Sequence, residues 1–257
     1  MDGMIVQHLT NYICVGIDSI LNESHITHIA RVFYALKTSL EKLSTYYKSQ
    51  QPTSDHLVSS CYFPSITAYP QGNVLIEFKY LGYLENSPDC VTLHAQTIAS
   101  RQDIVVKFVN RYGERAHWIL VDESLALKLL YCRSPHLNDS ELSYQSISMV
   151  VMEYVDGNKF AVAKQKLSEE SVEAVQLAVQ HALELLHSHG LVFGDLCWPN
   201  AMITKDDNVK LIDFSWAGED GQAKYPSLIS VDITWPEGVE ALAVMRKQHD
   251  LAMLSRF

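Results

Sequence analysis

No run of 18 apolar residues occurs in the 257-residue chain, so no membrane-spanning helix is expected. Basic residues are scarce: 20 Lys and Arg face 30 Asp and Glu, a formal charge of −10. That balance argues against a nucleic-acid binder living on phosphate contacts. No C-x-x-C pair exists among the five cysteines, Cys14, Cys61, Cys90, Cys132 and Cys197. An odd, scattered set points to reduced thiols and an intracellular, cytoplasmic setting. The opening stretch, MDGMIVQHLTNYICVG, lacks a basic segment leading into a long apolar core, so no signal peptide is expected. Low-complexity segments and internal repeats are absent. What is present is ordinary globular composition, 47% hydrophobic and 19% charged, long enough for one large domain or two small lobes.

The clearest periodicity lies near the N-terminus. Ile26, Ile29, Phe33, Leu36, Leu40, Leu43 and Tyr47 recur at alternating spacings of three and four. This predicts a helix over 24–48, with Ser24 as its N-cap. Its seam either packs on its own domain or pairs two chains as a short coiled coil. Residues 49–72, mixed in Ser, Pro and Gly, read as a linker. Residues 1–72 are thus an N-terminal helical extension and linker, and 73–257 a second unit.

Strand signals open that unit. Alternation from Val74 to Tyr80, then CVTLHAQTIA, then IVVKFV (104–109), with short turns between them, predicts an antiparallel meander. A short helix over GERAHWILVDE follows, and SISMVVMEYV (146–155) reads as a fully apolar strand. A long helix is expected after Ser168, closed by Gly190 at its C′ position. AMI and VKLI form a hairpin around KDDN, and EALAVMRKQHDLAMLSRF reads as a last helix. Strands first and helices second imply an α+β fold, a sheet lobe followed by a helical lobe.

Chemistry concentrates at four places. Lys107 sits in the middle of an apolar strand, where it either snorkels at a sheet edge or reaches into a cleft. MVVMEYVDG, GLVFGDLCWPNAMI and VKLIDFSWAG follow in that order. A strand lysine, a helix glutamate, a hinge, a D-x-x-x-x-N loop and a second aspartate make up the order of parts in a phosphoryl-transfer site. A strand lysine can clamp an anionic triphosphate as a point charge. Magnesium takes oxygen ligands, which Asn200 and Asp213 supply. A hydroxyl nucleophile needs an acceptor for its proton, which Asp195 supplies. The plainer alternative is that Asp195 and Asn200 only cap turns.

These stretches, with LALKLLYC and HDLAMLSRF, resemble the protein-kinase-like superfamily over about 74–257, and most nearly the divergent kinase-like proteins of mushroom-forming fungi. GDLCWPN and IDFSWAG are also similar to aminoglycoside and choline phosphotransferases. The resemblance implies a bilobal fold, with an antiparallel-sheet N-lobe (about 73–155) and a reduced helical C-lobe (about 156–257), and ATP with Mg2+ in the cleft. It implies Lys107 as the phosphate clamp and Glu114 as its helix partner, with Glu123 a rival. Met152 then lies at the back of the adenine pocket, and Glu153 to Val155 form the hinge. Asp195 is the catalytic aspartate, and Asn200 and Asp213 are the magnesium ligands. Asp250 braces the catalytic loop, or is a solvated helix residue.

The pattern also departs from that family. Gly82 begins a glycine-rich loop, but YLENSPDCV adds no further glycine, and Pro88 removes a backbone donor. Gly194 stands where an arginine is usual, Cys197 where a lysine is usual, and Ser215 where a glycine is usual. Residues 214–257 are too few for a large peptide-docking lobe. Three readings follow: an ATP-dependent phosphotransferase acting on a protein or small-molecule hydroxyl, a catalytically impaired scaffold, or a small-molecule kinase. Neither nucleic acid nor membrane is an expected partner.

Overall fold

The computed structural model of the chain describes residues 23–49, 64, 66–87, 90–135, 147–163 and 167–256. It separates into two compact units, one holding the first helix and one running from Pro64 onward. The first unit's described part is α1 (Glu23–Ser49), an amphipathic helix one residue longer at each end than its periodicity predicts. Its seam residues Ile26, Phe33, Leu36, Leu40 and Leu43 are all exposed.

The second unit begins with a six-stranded sheet. Its strands are β1 (Ala68–Gln71), β2 (Val74–Ser87), β3 (Cys90–Thr97), β4 (Asp103–Val109), β5 (Leu129–Arg133) and β6 (Ser148–Glu153). The spatial order is β1-β2-β3-β4-β6-β5, antiparallel throughout. The meander is as its alternation predicts, but β1 falls inside the segment read as linker, and β5 carries no strand reading at all. Pro88 and Asp89, between β2 and β3 in the chain, lie outside the described residues.

Strand β4 is central, which is why its residues 104–107 are buried on both faces. Successive side chains alternate between faces. Ile104 and Val106 therefore share one face, and Val105 and Lys107 the other. The second face packs with Leu127, Leu129, Val150, Met152 and Met202. Lys107 is thus aimed at an apolar-walled space by register alone.

Between β4 and β5 lies α2 (Glu114–Asp122), whose buried face is Ala116, His117 and Leu120. After β7 (Gly157–Lys159) and the single turn α3 (Phe160–Ala163), the chain enters α4 (Glu169–Ser188). Ser168 caps α4 by accepting the Ser171 amide, and Gly190, at φ +73°, ends it, both as expected from the sequence. Val175, Val179, Ala182, Leu183 and Leu186 face the helical core, spaced as one helix face requires. Strand β8 (Leu191–Val192) then leads to the loop at 193–200, which ends in a 3-10 turn (Trp198–Asn200). The hairpin β9 (Ala201–Thr204) and β10 (Val209–Leu211) forms around KDDN and takes β7 as its third strand. Strand β11 (Gly218–Glu219) pairs with β8.

The final helix is shorter than its sequence suggests: α5 spans only Lys247–Leu254. Residues 243–245 cannot be helical because their backbone pairs with 223–225. The Tyr225 amide donates to Ala243 O at 2.9 Å, and the Met245 amide to Ala223 O at 2.8 Å.

One close approach joins the sheet lobe to the helical lobe. The Gly113 amide donates to Phe214 O at 2.8 Å. A Cβ built at Gly113 would lie 2.6 Å from Ala217 Cβ and 2.7 Å from its carbonyl oxygen. Gly113→Ala should therefore destabilise the fold by about 1–3 kcal/mol through overpacking. Urea unfolding reads this directly. Gly82→Ala, where a Cβ meets nothing within 4 Å, is the control and should shift stability by less than about 0.5 kcal/mol.

Candidate active site

Three chain segments converge below the sheet. Strand β4 brings Lys107, the 193–200 loop brings Asp195 and Asn200, and the end of β10 brings Asp213. Lys107 Nζ lies 2.7 Å from Asp213 Oδ2 and 3.4 Å from Ser215 Oγ. The lysine side chain is only 8% exposed, so a charge partner is needed to hold it there.

Asp213 adopts φ +65°, a conformation uncommon for a residue with a side chain. That turn is held by its neighbours: Ser215 donates its amide (3.2 Å) and hydroxyl (2.6 Å) to Asp213 Oδ1. Burial alone would raise the Asp213 pKa. The Lys107 charge, with hydrogen bonds from Lys107 and Ser215, outweighs it and keeps the carboxyl below its ordinary value.

Asp195 is driven the other way. Burial first, and the Asp213 charge second, push its pKa up to about 7, against the Asn200 hydrogen bond and the Lys107 charge. Asn200 Nδ2 donates to both Asp195 O and Asp195 Oδ2, each at 2.9 Å. With its nitrogen committed, the amide leaves its Oδ1 as the atom available to a cation.

The loop itself is held from below by Asp250. This aspartate is buried, not solvated. Its Oδ2 accepts the Phe193 amide and its Oδ1 the Gly194 amide, each at 2.8 Å, and His187 Nε2 lies 3.0 Å from Oδ2. Gly194 has φ +81°, and a Cβ there would sit 2.8 Å from Met245 Sδ. The backbone path explains why no arginine occupies this position.

A cleft of roughly 510 Å³ opens between the sheet and the β9–β10 hairpin. Its walls include Val105, Leu127, Met152, Met202 and Ile212, and its polar end holds Lys107, Asn200 and Asp213. A flat apolar slot leading to a charged end suits a heteroaromatic ring bearing phosphates. Tyr154 and Val155 line the cleft beside Met152. Glu153 does not: its Oε1 accepts the Lys128 amide at 2.8 Å and its own amide donates to Lys128 O at 2.9 Å, which ties it to the β5 side.

Two expected site residues are corrected by the geometry. Glu114 does not hold Lys107. It sits in the first turn of α2, off the helix's buried face, where its Oε1 accepts Trp118 Nε1 at 3.4 Å. Glu123 lies exposed at the far end of the same helix. The inward place on α2 belongs to His117, and the lysine turns to Asp213 instead. Gly82 stands in β2 outside the cleft lining, and its surroundings do not require a glycine.

Sequence reasoning missed three contributors. Arg111 donates to Ser215 O at 3.1 Å, to Trp216 O at 2.9 Å and to Lys224 O, so one guanidinium ties down the segment after Asp213. Ser215 orients Asp213. His117 stacks on Phe214, with ring centroids 4.4 Å apart. Only Ser215 gave a signal, by standing next to the DF pair; the others carry none without tertiary structure.

The arrangement defines a class. The family model for the protein kinase domain matches residues 92–236, more than half of the chain, and the chain belongs to that family. Among curated relatives, it is 27% identical over 153 residues to the serine/threonine-protein kinase pak-2 of Caenorhabditis elegans, covering 56% of this chain and 28% of that protein. It is 36% identical over 72 residues to the human serine/threonine-protein kinase PAK 4, covering 27% of this chain and 12% of that protein. A third relative, the serine/threonine-protein kinase SMU1 of Mycosarcoma maydis, is 26% identical over 164 residues, 60% of this chain and 21% of that protein. The chain thus spans less than a third of the length of each. Among solved structures, the Cydia pomonella granulovirus kinase PK-1 aligns with a TM-score of 0.46 at 19% identity, over 60% of this chain and 55% of that one.

His117 provides a pH test of the lobe contact. Its Nε2–H donates to Leu127 O at 2.6 Å and its Nδ1 accepts the Tyr112 hydroxyl at 2.7 Å, which leaves the ring neutral. Burial lowers its pKa to about 4, opposed by the Leu127 hydrogen bond. Between about pH 4 and 6.5 the unfolded chain binds a proton that the folded chain refuses. Its stabilisation is therefore complete above about 6.5 and lost as pH falls toward 4, with a slope approaching one proton. His117→Gln should flatten that slope in unfolding measurements taken from pH 7 to 4.

Proposed function

We propose that the chain is an ATP-dependent phosphotransferase that moves the γ-phosphate of ATP to a hydroxyl of a protein or small molecule, with magnesium. The observation that carries this reading is the convergence of Lys107, Asn200 and Asp213 at the charged end of an apolar slot, with Asp195 hydrogen-bonded to Asn200. The adenine ring fits between Val105 and Met202, with the backbone at Val155 beside its polar edge, the Tyr154 amide being donated to Asp103 O at 3.3 Å. Lys107 takes the phosphates as a point charge.

The donor set suits a hard divalent cation. Among the described residues, no cluster of three or more His, Cys, Asp or Glu could hold a metal alone. Asp213 and Asn200 Oδ1 provide one charged and one neutral oxygen, which is what magnesium takes from a protein when phosphates fill the remaining positions. When bound, the ion neutralises charge on the phosphates and aligns them. Asp195 orients the acceptor hydroxyl and takes its proton. Its pKa of about 7 places it near the value that favours general-base work at neutral pH.

One observation favours a second reading, a nucleotide-binding scaffold without turnover. Lys107 contacts Asp213 directly at 2.7 Å. Asp213 would hold a cation only once its carboxylate is released from Lys107.

A transfer assay with γ-labelled ATP and candidate acceptors separates the two. Asp195→Asn should cut transfer by about 10²–10⁴-fold while changing ATP affinity little. Lys107→Met should weaken ATP binding itself. Equal loss of binding in both variants would contradict these roles, and nucleotide binding with no transfer to any acceptor would favour the scaffold.

A further inference from the structure

Among the described residues, two lysines line the cleft, and the proposed chemistry uses only Lys107. The second, Lys159, ends β7 and stands opposite Met202 in the β7–β9 ladder, two residues past Asn200. From there it crosses the mouth of the cleft to Glu85 of β2, with which it forms an ion pair. Strand β2 is irregular at this point: its register with β3 shifts between Tyr80 and Gly82, and again between Tyr83 and Glu85. Such irregularities re-aim side chains, and here they turn Glu85 into the cleft lining.

The charges around the slot make this pair informative. Asp213 stands at the inner end, with Asp195 bonded to Asn200 beside it, and Lys107 is already committed to Asp213. At that end the Lys107 charge is already balanced by a carboxylate, so a polyphosphate entering there competes with Asp213 for it. Among the described residues, Lys159 is the other cation in the lining. Its charge reaches the catalytic loop: burial, with Asp195, pushes the Cys197 thiol up to about 12, and Lys159 is among the weaker influences opposing that rise. Both members of the Lys159–Glu85 pair are about one-third or more exposed, 35% and 42%, and such pairs are weakly held.

We propose that Lys159 is a second phosphate-binding cation of this site and that Glu85 is the counter-ion which the phosphates displace. This rests on the nucleotide-binding reading above. A partly exposed ammonium paired with a carboxylate can exchange that partner for a phosphate oxygen. Glu85 then competes with the nucleotide, so the two residues act in opposite senses.

Equilibrium binding of ATP, ADP and adenosine to the full chain, with magnesium, tests this. Lys159→Met should weaken ATP binding by about tenfold, as expected for losing one charge-assisted contact, weaken ADP less, and leave adenosine unchanged. Lys159→Arg should retain most of the parent affinity. Glu85→Gln should tighten ATP binding severalfold. If the pair were only a strap between β2 and β7, Lys159→Met and Glu85→Gln would move ATP affinity in the same direction, and that result would overturn the proposal. An equal loss for adenosine and ATP in Lys159→Met would overturn it too. A parent chain that binds no ATP at all would remove the underlying nucleotide reading as well.

Discussion

The ion pair between Lys107 and Asp213 is the contact on which the rest of the site depends. A lysine in the middle of a central strand loses its hydration, and an ammonium without a partner there would lose its charge. The 2.7 Å contact to Asp213 supplies that partner across two lobes. Sheet and hairpin are thus joined at the point where the chemistry is needed. Around this contact the protein places restraints that act on the backbone: Ser215 on the Asp213 carboxylate, Arg111 on three carbonyls, and Gly113 against Phe214 and Ala217. None of these restraints involves an added phosphate.

The same contact sets the two aspartates apart. Lys107 sits on Asp213 and keeps it ionised, while the charge on Asp213 helps push Asp195 toward neutrality. Pairs of acids whose surroundings drive their pKa values in opposite directions commonly divide the labour of a site. Here the lower one suits a cation and the higher one suits a proton. Asp250 and Asn200 fix the loop so that this division is geometric as well as electrostatic.

Much of this was legible in the chain. The β4 lysine could be placed because IVVKFV is the third of three strand-like runs joined by short turns. The hairpin followed from KDDN between two apolar strands, and α4 from its cap, its period and Gly190. The family's order of motifs then tied distant segments together. What stayed hidden depends on tertiary partners. Glu114 looked suitable by position, but α2 turns His117 inward and leaves the carboxylate to Trp118. Strand β1 reads as linker because Pro70 and Gln71 carry no β pattern, and it exists only because β2 offers a partner edge. The residues before α5 have helical composition, yet they give up their backbone to 223–225. Arg111 could not be found from sequence, since its partners are carbonyls more than 100 positions away.

The central claim is that Asp213 exchanges Lys107 for a magnesium-bound nucleotide. Thermal unfolding of the full chain over a matrix of ATP and Mg2+ concentrations tests it most directly. A ligand bound only by the native state at about a hundred times its dissociation constant adds about 2.7 kcal/mol. For a chain of this size that is a rise of roughly 5–10 °C in Tm. The account predicts that ATP gives this rise with Mg2+ present and only a small part of it when EDTA removes the ion. A rise of equal size with and without Mg2+, or none at millimolar ATP with Mg2+, would contradict it.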